Sequence, residues 1–338
     1  MVDHFHSRFE LPDRSYQAIV RAGLKKICEE AGFNKHRLGE VEIIIAEITS
    51  DLMKYDTNGG IILARILTEP AAGIELIAID QGPGMRGKDW MMEDGRSTKS
   101  TLGHGLGSIK RLSCEFDLYS VYEWGTILFT RSYVNHIKAS VPAKFDVHVL
   151  RTARKDETTC GDAWKMIAKG AKYRLLVADG LGHGKEASEA AQEAIRSFGH
   201  PRSSPVEQLK MMHQDIRKTR GAVATVVHID TVTKTMDYSG IGNIAMKIIS
   251  EGRSKGCSTY NGIVGHIIPN SLNTHPHAFN PAKDILVMHS DGISSRWDLK
   301  KYPGILDHHP MIFCAALYKD FERGNDDVTV LVGRSGKL

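Results

Sequence analysis

Two rhythms of apolar residues run along this chain, and their alternation marks out its elements. Near the N-terminus, Tyr16, Ile19, Val20, Leu24, Ile27 and Cys28 recur at helical spacing, and Gly32 follows as a stop. A second helical stripe runs from about His36 to Tyr55 through Leu38, Val41, Ile44, Ile45, Ile48 and Leu52, and ends at the turn Asn58 to Gly60. Strand-like runs follow, "GIILARILTE" and then "GIELIAID". A glycine-rich loop leads into a further helix near Gly105. The strands "EFDLYSVYE" and "GTILFTRSYV" come next, joined by a hairpin at "EWG". Helices first and closely linked strands afterwards predict an α+β domain, a sheet covered by helices on one face.

The stretch 135–144 has no strong period and contains a proline, so it reads as a linker between domains 1–134 and 145–338. Beyond it, strand patterns dominate: "FDVHVLRTAR", "YRLLVAD", "GAVATVVHID", "TKTMDYSGIG", "AMKIIS", "DILVMHSDG" and "DVTVLVGR". Two helical patterns interrupt them, about Lys185–Phe198 and Pro205–Thr219. Strands in excess with a pair of helices predict a β-sandwich with flanking helices. The 338 residues suit two domains, and no repeat at solenoid periods is present.

Composition narrows the function classes. The net charge of +4 comes from scattered basic residues, which argues against a nucleic-acid partner. No apolar run approaches the ~20 residues of a membrane span, and the N-terminal stretch lacks the apolar core of a secretory signal. Five dispersed cysteines without a C-x-x-C fit reduced thiols and a cytoplasmic setting. The histidines at 275, 277, 308 and 309 have no partners at metal-ligand spacing and read as solvated loop residues.

Chemistry gathers where strands end. In the second half Asp162 ("CGDAW"), Asp179 ("VADGLGHG"), Asp291 ("MHSDGIS") and Asp326 ("GNDDVTVLV") each stand at a strand end or a glycine turn. One Asp-Gly is usually only a turn. Four carboxylates in one fold need cations to offset their repulsion, and hard divalent ions take oxygen ligands. A glycine after the aspartate frees a backbone carbonyl to join them.

These motifs, in this order from about Phe145 onward, resemble the PPM metal-dependent serine/threonine phosphatases, in their SpoIIE-like bacterial form and its compact RsbX-like variant. The resemblance implies two Mn²⁺ or Mg²⁺ ions held by Asp162, Asp179, the Gly180 carbonyl, Asp291 and Asp326, with Asp179 bridging. It implies direct attack by water activated at the metal, with no phosphoenzyme. Asp327 stands where many relatives carry asparagine, outside the metal ligands. His183 reads as a loop-shaping residue, and "SGIGN" at 239–243 as structural.

The first half offers a second constellation. Glu47 and Asp51 share a helix face away from the apolar stripe. Asp80 ends a strand ahead of Gly82 and Gly84. Gly103, Gly105 and Gly107 then open a helix, an arrangement whose backbone amides can cradle phosphate. Over roughly Leu11 to Tyr133 this order resembles the GHKL (Bergerat) ATPases, an α/β sandwich fold, and among them the anti-sigma and switch-protein kinases of the RsbT and RsbW kind. The resemblance implies ATP with Mg²⁺, Asp80 on the adenine amino group, the five glycines as nucleotide loops, Thr126 near the adenine pocket, and Glu47 as general base. Asp51 replaces the family's magnesium-holding asparagine.

Together the resemblances imply a bifunctional partner-switching regulator, with kinase and phosphatase acting on a small regulatory protein of the STAS-antagonist or stressosome-like kind. A sigma factor is a further implied partner, and the kinases resembled often pair through their N-terminal region. Two alternatives stay open: a phosphatase whose first half only senses ATP or ADP, and a non-catalytic module that sequesters its partner.

Overall fold

The computed structural model describes residues 5–55, 59–85, 105–135, 144–200 and 203–335. The chain divides into two compact units, Met1–Ser140 with Tyr302–Ala316, and Val141–Lys301 with Leu317–Leu338. Among the described residues no helix is long and apolar enough to cross a membrane.

The first unit is built on five strands: β1 (Ser7–Leu11), β2 (Gly60–Leu67), β3 (Gly73–Asp80), β4 (Glu115–Val121) and β5 (Gly125–Tyr133). They form one antiparallel sheet in the order β1-β2-β3-β5-β4. Among the described residues three helices, α1 (Gln17–Glu30), α2 (Lys35–Tyr55) and α3 (Gly105–Leu112), accompany it. α2 starts at Asn34, whose side chain accepts the amides of His36 at 3.1 Å and Arg37 at 3.0 Å. Its stripe of Val41, Ile44, Ile45, Ile48 and Leu52 is buried against Ile62, Ala64, Leu76 and Ala78 of the sheet. Each such side chain contributes roughly 1.5–3 kcal/mol by leaving water.

The other face of this sheet is buried too, and the chain that covers it comes from far downstream. Within the first unit, Tyr119 Oη donates to the Pro303 carbonyl at 3.2 Å. The His309 amide donates to Asp117 Oδ2 at 2.5 Å, and the His308 ring pairs with Asp117 Oδ1 at 2.9 Å. The His309 ring stacks on Phe129 at 4.1 Å. The reading of His308 and His309 as solvated loop residues is therefore corrected: partners distant in sequence hold both rings and leave them only partly exposed.

Among its described residues the second unit holds ten strands in two sheets. One sheet comprises β7 (Asp162–Lys169), β8 (Lys172–Gly180), β9 (Ala222–Asp230), β10 (Thr235–Ile241) and β13 (His275–Ala278), in the order β13-β10-β9-β8-β7. The other comprises β6 (Asp146–Thr152), β11 (Ala245–Ser250), β12 (Arg253–Cys257), β14 (Ile285–His289) and β15 (Val328–Arg334), in the order β12-β11-β14-β15-β6. Phe145, Leu175, Val177, Met246, Met288 and Leu331 belong to the apolar core between the sheets. The helices α4 (Lys185–Ser197) and α5 (Pro205–Asp215) cover the outer face of the first sheet through Ala194, Leu209 and Met212. α5 begins with a capping box in which Ser204 and Glu207 exchange hydrogen bonds, with Pro205 in its first turn. A further helix, α6 (Pro310–Phe321), contains the position where the two units divide. His275 and His277 are in β13, and His275 stacks on Tyr238 and Tyr260, which again corrects the loop reading.

Candidate functional sites

In the second unit, strand register assembles the acidic residues. Asp162 opens β7 and lies directly opposite Asp179 near the end of β8. Strands β14 and β15 of the facing sheet end beside them. Ser290 follows β14; its hydroxyl donates to Asp162 Oδ2 at 2.7 Å and accepts the Thr329 amide at 2.9 Å. One hydroxyl thus ties the two sheets together at this end. Asp291 comes next, with Oδ2 accepting the Asn243 amide at 2.8 Å. Asp326 Oδ1 accepts the amide of Asp327, and Asp327 Oδ1 accepts the amide of Arg154, both at 2.9 Å.

Packing in this corner is close enough to require glycine. A Cβ at Gly180 would lie 1.9 Å from the Ala187 carbonyl oxygen, and one at Gly161 would lie 2.6 Å from Asp327 Oδ2. The loop from Leu181 to Gly184 turns through positive φ at Gly182 and Gly184. His183 in that loop is held by Glu157, at 2.6 Å between Nδ1 and Oε1.

The electrostatics are those of an acidic cluster only partly offset by nearby donors and arginines. Burial, then the charges of Asp162, Asp291, Asp326 and Asp327, push the Asp179 carboxyl well above its usual range. Burial also pushes Asp162 up to about 7, against the Ser290 hydrogen bond that favours its ionised form. Asp291 and Asp327 are raised as well, burial again being the main cause. Three buried carboxylate oxygens, Asp162 Oδ1, Asp291 Oδ1 and Asp327 Oδ2, lack a well-formed hydrogen bond, with only the Thr329 hydroxyl close to Asp162 and the Gly161 amide close to Asp327. Buried anionic oxygens without donors are costly, and a cation is the partner that suits them. Among the described residues no three His, Cys, Asp or Glu side chains converge as a ready-made ion cage. Like-charged carboxylates spread apart when nothing positive lies between them, and hard cations fill their shells with backbone carbonyls and water as well. The residues present therefore fit a divalent ion.

Asp162, Asp179, Gly180, Asp291 and Asp326 thus share one end of the sandwich. Sequence reasoning passed over Ser290 and took Asn243 as part of a structural loop, yet each donates a hydrogen bond to a candidate ligand. Both lie within two residues of glycine turns next to a motif aspartate or in a motif already noted, which was the available signal.

In the first unit, the start of α3 sits against α2. A Cβ at Gly105 would lie 3.0 Å from Glu47 Oε2 and 3.3 Å from Asp51 Oδ2, so both carboxylates face this helix N-terminus. Burial, and then Glu47 against the opposing pull of Lys54, raises the Asp51 carboxyl. Gly107 is buried in α3. Asp80 ends β3, pairs with Thr126 across the ladder, and accepts the Gly82 amide at 2.8 Å. The Thr126 hydroxyl meets Ser120 Oγ at 2.9 Å, and that oxygen accepts the Met85 amide at 2.8 Å. Gly84 has φ +70, and a Cβ there would lie 2.1 Å from the Val121 carbonyl oxygen. Two clusters of polar groups result, one around Asp80 and Thr126, the other around Glu47, Asp51 and Gly105. Gly103 lies outside the described residues. Ser120 is the member that the sequence did not disclose, because only strand pairing brings it to Thr126.

Two stacked five-stranded sheets with this acidic end define a class: the second unit is a phosphatase domain of the PPM type. The sequence profile of the family described as Stage II sporulation protein E (SpoIIE) matches residues 169–335. Serine/threonine-protein kinase RsbT of Bacillus subtilis (strain 168) is 35% identical over 102 residues, 30% of this chain and 77% of the relative. Phosphoserine phosphatase RsbX of the same organism is 26% identical over 153 residues, 43% of this chain and 73% of the relative. A chain from a structure of the bacterial stressosome, described as a modular system adapted to control secondary messenger signaling, superposes with TM-score 0.52 and 29% identity, covering 57% of this chain and 100% of that one. The crystal structure of RsbX in complex with magnesium shares the fold, with TM-score 0.50 and 22% identity over 60% of this chain and all of that one. The chain belongs, through its first half, to the family of RsbT, and carries a SpoIIE phosphatase domain in its second.

Proposed function

We propose that this chain is a bifunctional partner-switching regulator of the cytoplasm. Its second unit removes phosphate from phosphoserine or phosphothreonine on a small regulatory protein of the STAS-antagonist or stressosome-like kind, with two Mn²⁺ or Mg²⁺ ions. Its first unit is a GHKL-type domain that binds ATP with Mg²⁺ and phosphorylates the same protein or a relative. The observation that carries the phosphatase reading is the set of orphaned oxygens on Asp162, Asp291 and Asp327 around a strongly raised Asp179. A divalent ion there supplies Lewis acidity at a phosphate monoester and a nucleophilic water near neutral pH.

The chain's own contribution is positional. Ser290 and Asn243 each fix one oxygen of a ligand carboxylate and leave the other aimed inward. The expected result is manganese-dependent hydrolysis of p-nitrophenyl phosphate by the wild type. Asp179→Asn should lower it by more than the ~10–100-fold that loss of a metal's outer partner costs. Hydrolysis equal to wild type in that variant, or none with any divalent metal, overturns the assignment.

In the first unit the same reading makes Asp80 the adenine-facing carboxylate and Glu47 the base for an incoming hydroxyl. Gly82, Gly84, Gly103, Gly105, Gly107 and Thr126 shape the nucleotide loops, and Asp51 faces the magnesium. Asp51 favours a second reading as well. Its half-buried carboxylate beside Glu47 adds negative charge where a triphosphate would lie, which suits a unit that senses ATP or ADP without transferring phosphate. Glu47→Gln separates the two: it abolishes phosphotransfer in the kinase and leaves nucleotide control of the phosphatase intact in the sensor.

A further inference from the structure

The acidic end of the second unit raises a question that its carboxylates do not answer. A phosphate monoester is an anion, and it must approach a site lined with aspartates. Arg151, which is near Asp162, is buried and donates to the Asp162 carbonyl at 3.1 Å, so its guanidinium is turned into the fold. Arg220 is placed otherwise. It directly precedes Gly221, whose carbonyl accepts the Leu181 amide at 3.0 Å, and Ala222, which pairs with Gly180 across the ladder. The carbonyl of Arg220 meets His266 Nε2 at 2.8 Å, which anchors its backbone. Arg220 is therefore fixed beside the loop that leaves Asp179.

Its side chain leans over that loop. Nη1 lies 3.1 Å from where a Cβ of Gly182 would stand, and Gly182 holds φ +83. The guanidinium thus packs directly against the bare backbone of the loop, where a side chain at Gly182 would crowd it. Nη2 pairs with Glu186 in the first turn of α4. Both members are more than half exposed, 51% and 63%, so the pair is screened and weakly held. Beside it opens a groove of about 620 Å³ whose walls include Glu189, Asp215 and Lys218.

We infer that Arg220 is the substrate-phosphate ligand of this site, kept in place by Glu186 until a phosphate monoester displaces that carboxylate. The inference rests on the phosphatase reading above. An arginine suits the role because its planar fork matches two phosphate oxygens at once, whereas a lysine offers a single point of charge. Glu186 keeps the fork oriented and sets the threshold that a phosphate must exceed.

The test uses the full chain loaded with manganese, with inorganic phosphate as the probe. Phosphate is titrated calorimetrically and as a product inhibitor of p-nitrophenyl phosphate hydrolysis. Arg220→Ala raises the phosphate constant and KM about tenfold or more, and Arg220→Lys falls between it and wild type. The manganese concentration at half-activation and the melting temperature stay at wild-type values in both. Lys218→Ala, which removes a neighbouring charge from the same groove, changes the phosphate constant less than twofold. Glu186→Gln moves it the other way, to tighter binding. An unchanged phosphate constant in Arg220→Ala, an equal loss in Lys218→Ala, or weaker phosphate binding in Glu186→Gln overturns the inference. The calorimetric arm needs no turnover, so it fails separately from the phosphatase assignment, which Asp179→Asn tests.

Discussion

Each unit of this protein buries carboxylates, and the two treat them in opposite ways. In the first unit Glu75 is fully buried on the face of the sheet away from α1 and α2. It meets Arg65 at 2.6 Å, Arg131 at 2.7 Å and His6 at 2.9 Å. Burial works to raise its pKa, but Arg65, Arg131 and His6 together hold it well below the usual carboxylate range. Strand register makes the arrangement: Arg65, Glu75, Arg131 and Glu115 stand opposite one another across four adjacent strands. In the second unit Asp179 is partly buried, the charges that act on it are those of other aspartates, and its carboxyl is driven the other way. A carboxylate neutralised by the chain's own cations is part of the framework. A group of carboxylates that Arg151 and Arg323 offset only in part is a place for something the chain does not supply.

The same chemical change at both positions gives the sharpest break in that comparison. Glu75→Gln removes the buried charge that Arg65, Arg131 and His6 share, and should destabilise the protein by about 3–5 kcal/mol. Asp179→Asn, in protein stripped of metal with a chelator, removes repulsion and should stabilise by about 0.5–2 kcal/mol, as relief of an active-site conflict does. Urea melts of the two variants beside wild type check both signs. Destabilisation of the chelated protein by Asp179→Asn would mean that the acidic end is compensated after all.

Acid should separate the regions next. The Glu75 pKa in the folded state lies below its unfolded value of about 4.3. Its stabilising contribution is therefore complete above that value and is lost as pH falls through the lower folded one. Asp117 behaves alike: burial opposes the shift, and the His308 contact and the His309 amide outweigh it. Melts between pH 5 and roughly pH 2 should show the first unit losing stability at the acid end, and Glu75→Gln should flatten that slope. An equally steep slope in the variant would assign the acid sensitivity elsewhere.

How much of this was open to a reader of the sequence follows from which interactions are local. The stripe from Val41 to Leu52 and the runs that became β2, β3, β8 and β9 announced themselves, because one element's periodicity needs no knowledge of its neighbours. The aspartates stood out for the same reason, each at a strand end or a glycine turn. β7 escaped notice because it is an edge strand whose outer residues, Ala168 and Lys169, are exposed and alternate weakly. α6 escaped for the opposite reason: Met311 through Tyr318 are buried all round, so no polar face marks a helical period. The cover that Tyr302–Ala316 gives the first sheet could not be read at all. Asp117 meets its partner 191 residues away, and nothing in either segment names the other.

The smallest expected effect lies where the first unit's glycines meet its carboxylates. Gly105 begins α3, where alanine is the better helix former by roughly 1 kcal/mol. A Cβ there would lie 3.0 Å from Glu47 Oε2, the end of a flexible side chain that can retreat by a few tenths of an ångström. The two terms oppose each other, so Gly105→Ala should change stability by less than about 1 kcal/mol. Nucleotide binding should respond more strongly, because the displaced atom is the carboxylate oxygen assigned to the reacting end of ATP. Fluorescence titration with a labelled ATP analogue, run beside a thermal melt, reads the two separately. Weakened binding at constant melting temperature places Gly105 and Glu47 at the nucleotide. A fall in melting temperature with binding intact would make this corner of the first unit a packing contact, like Gly73 and Gly125, whose added Cβ atoms would meet backbone oxygens at 2.4 Å.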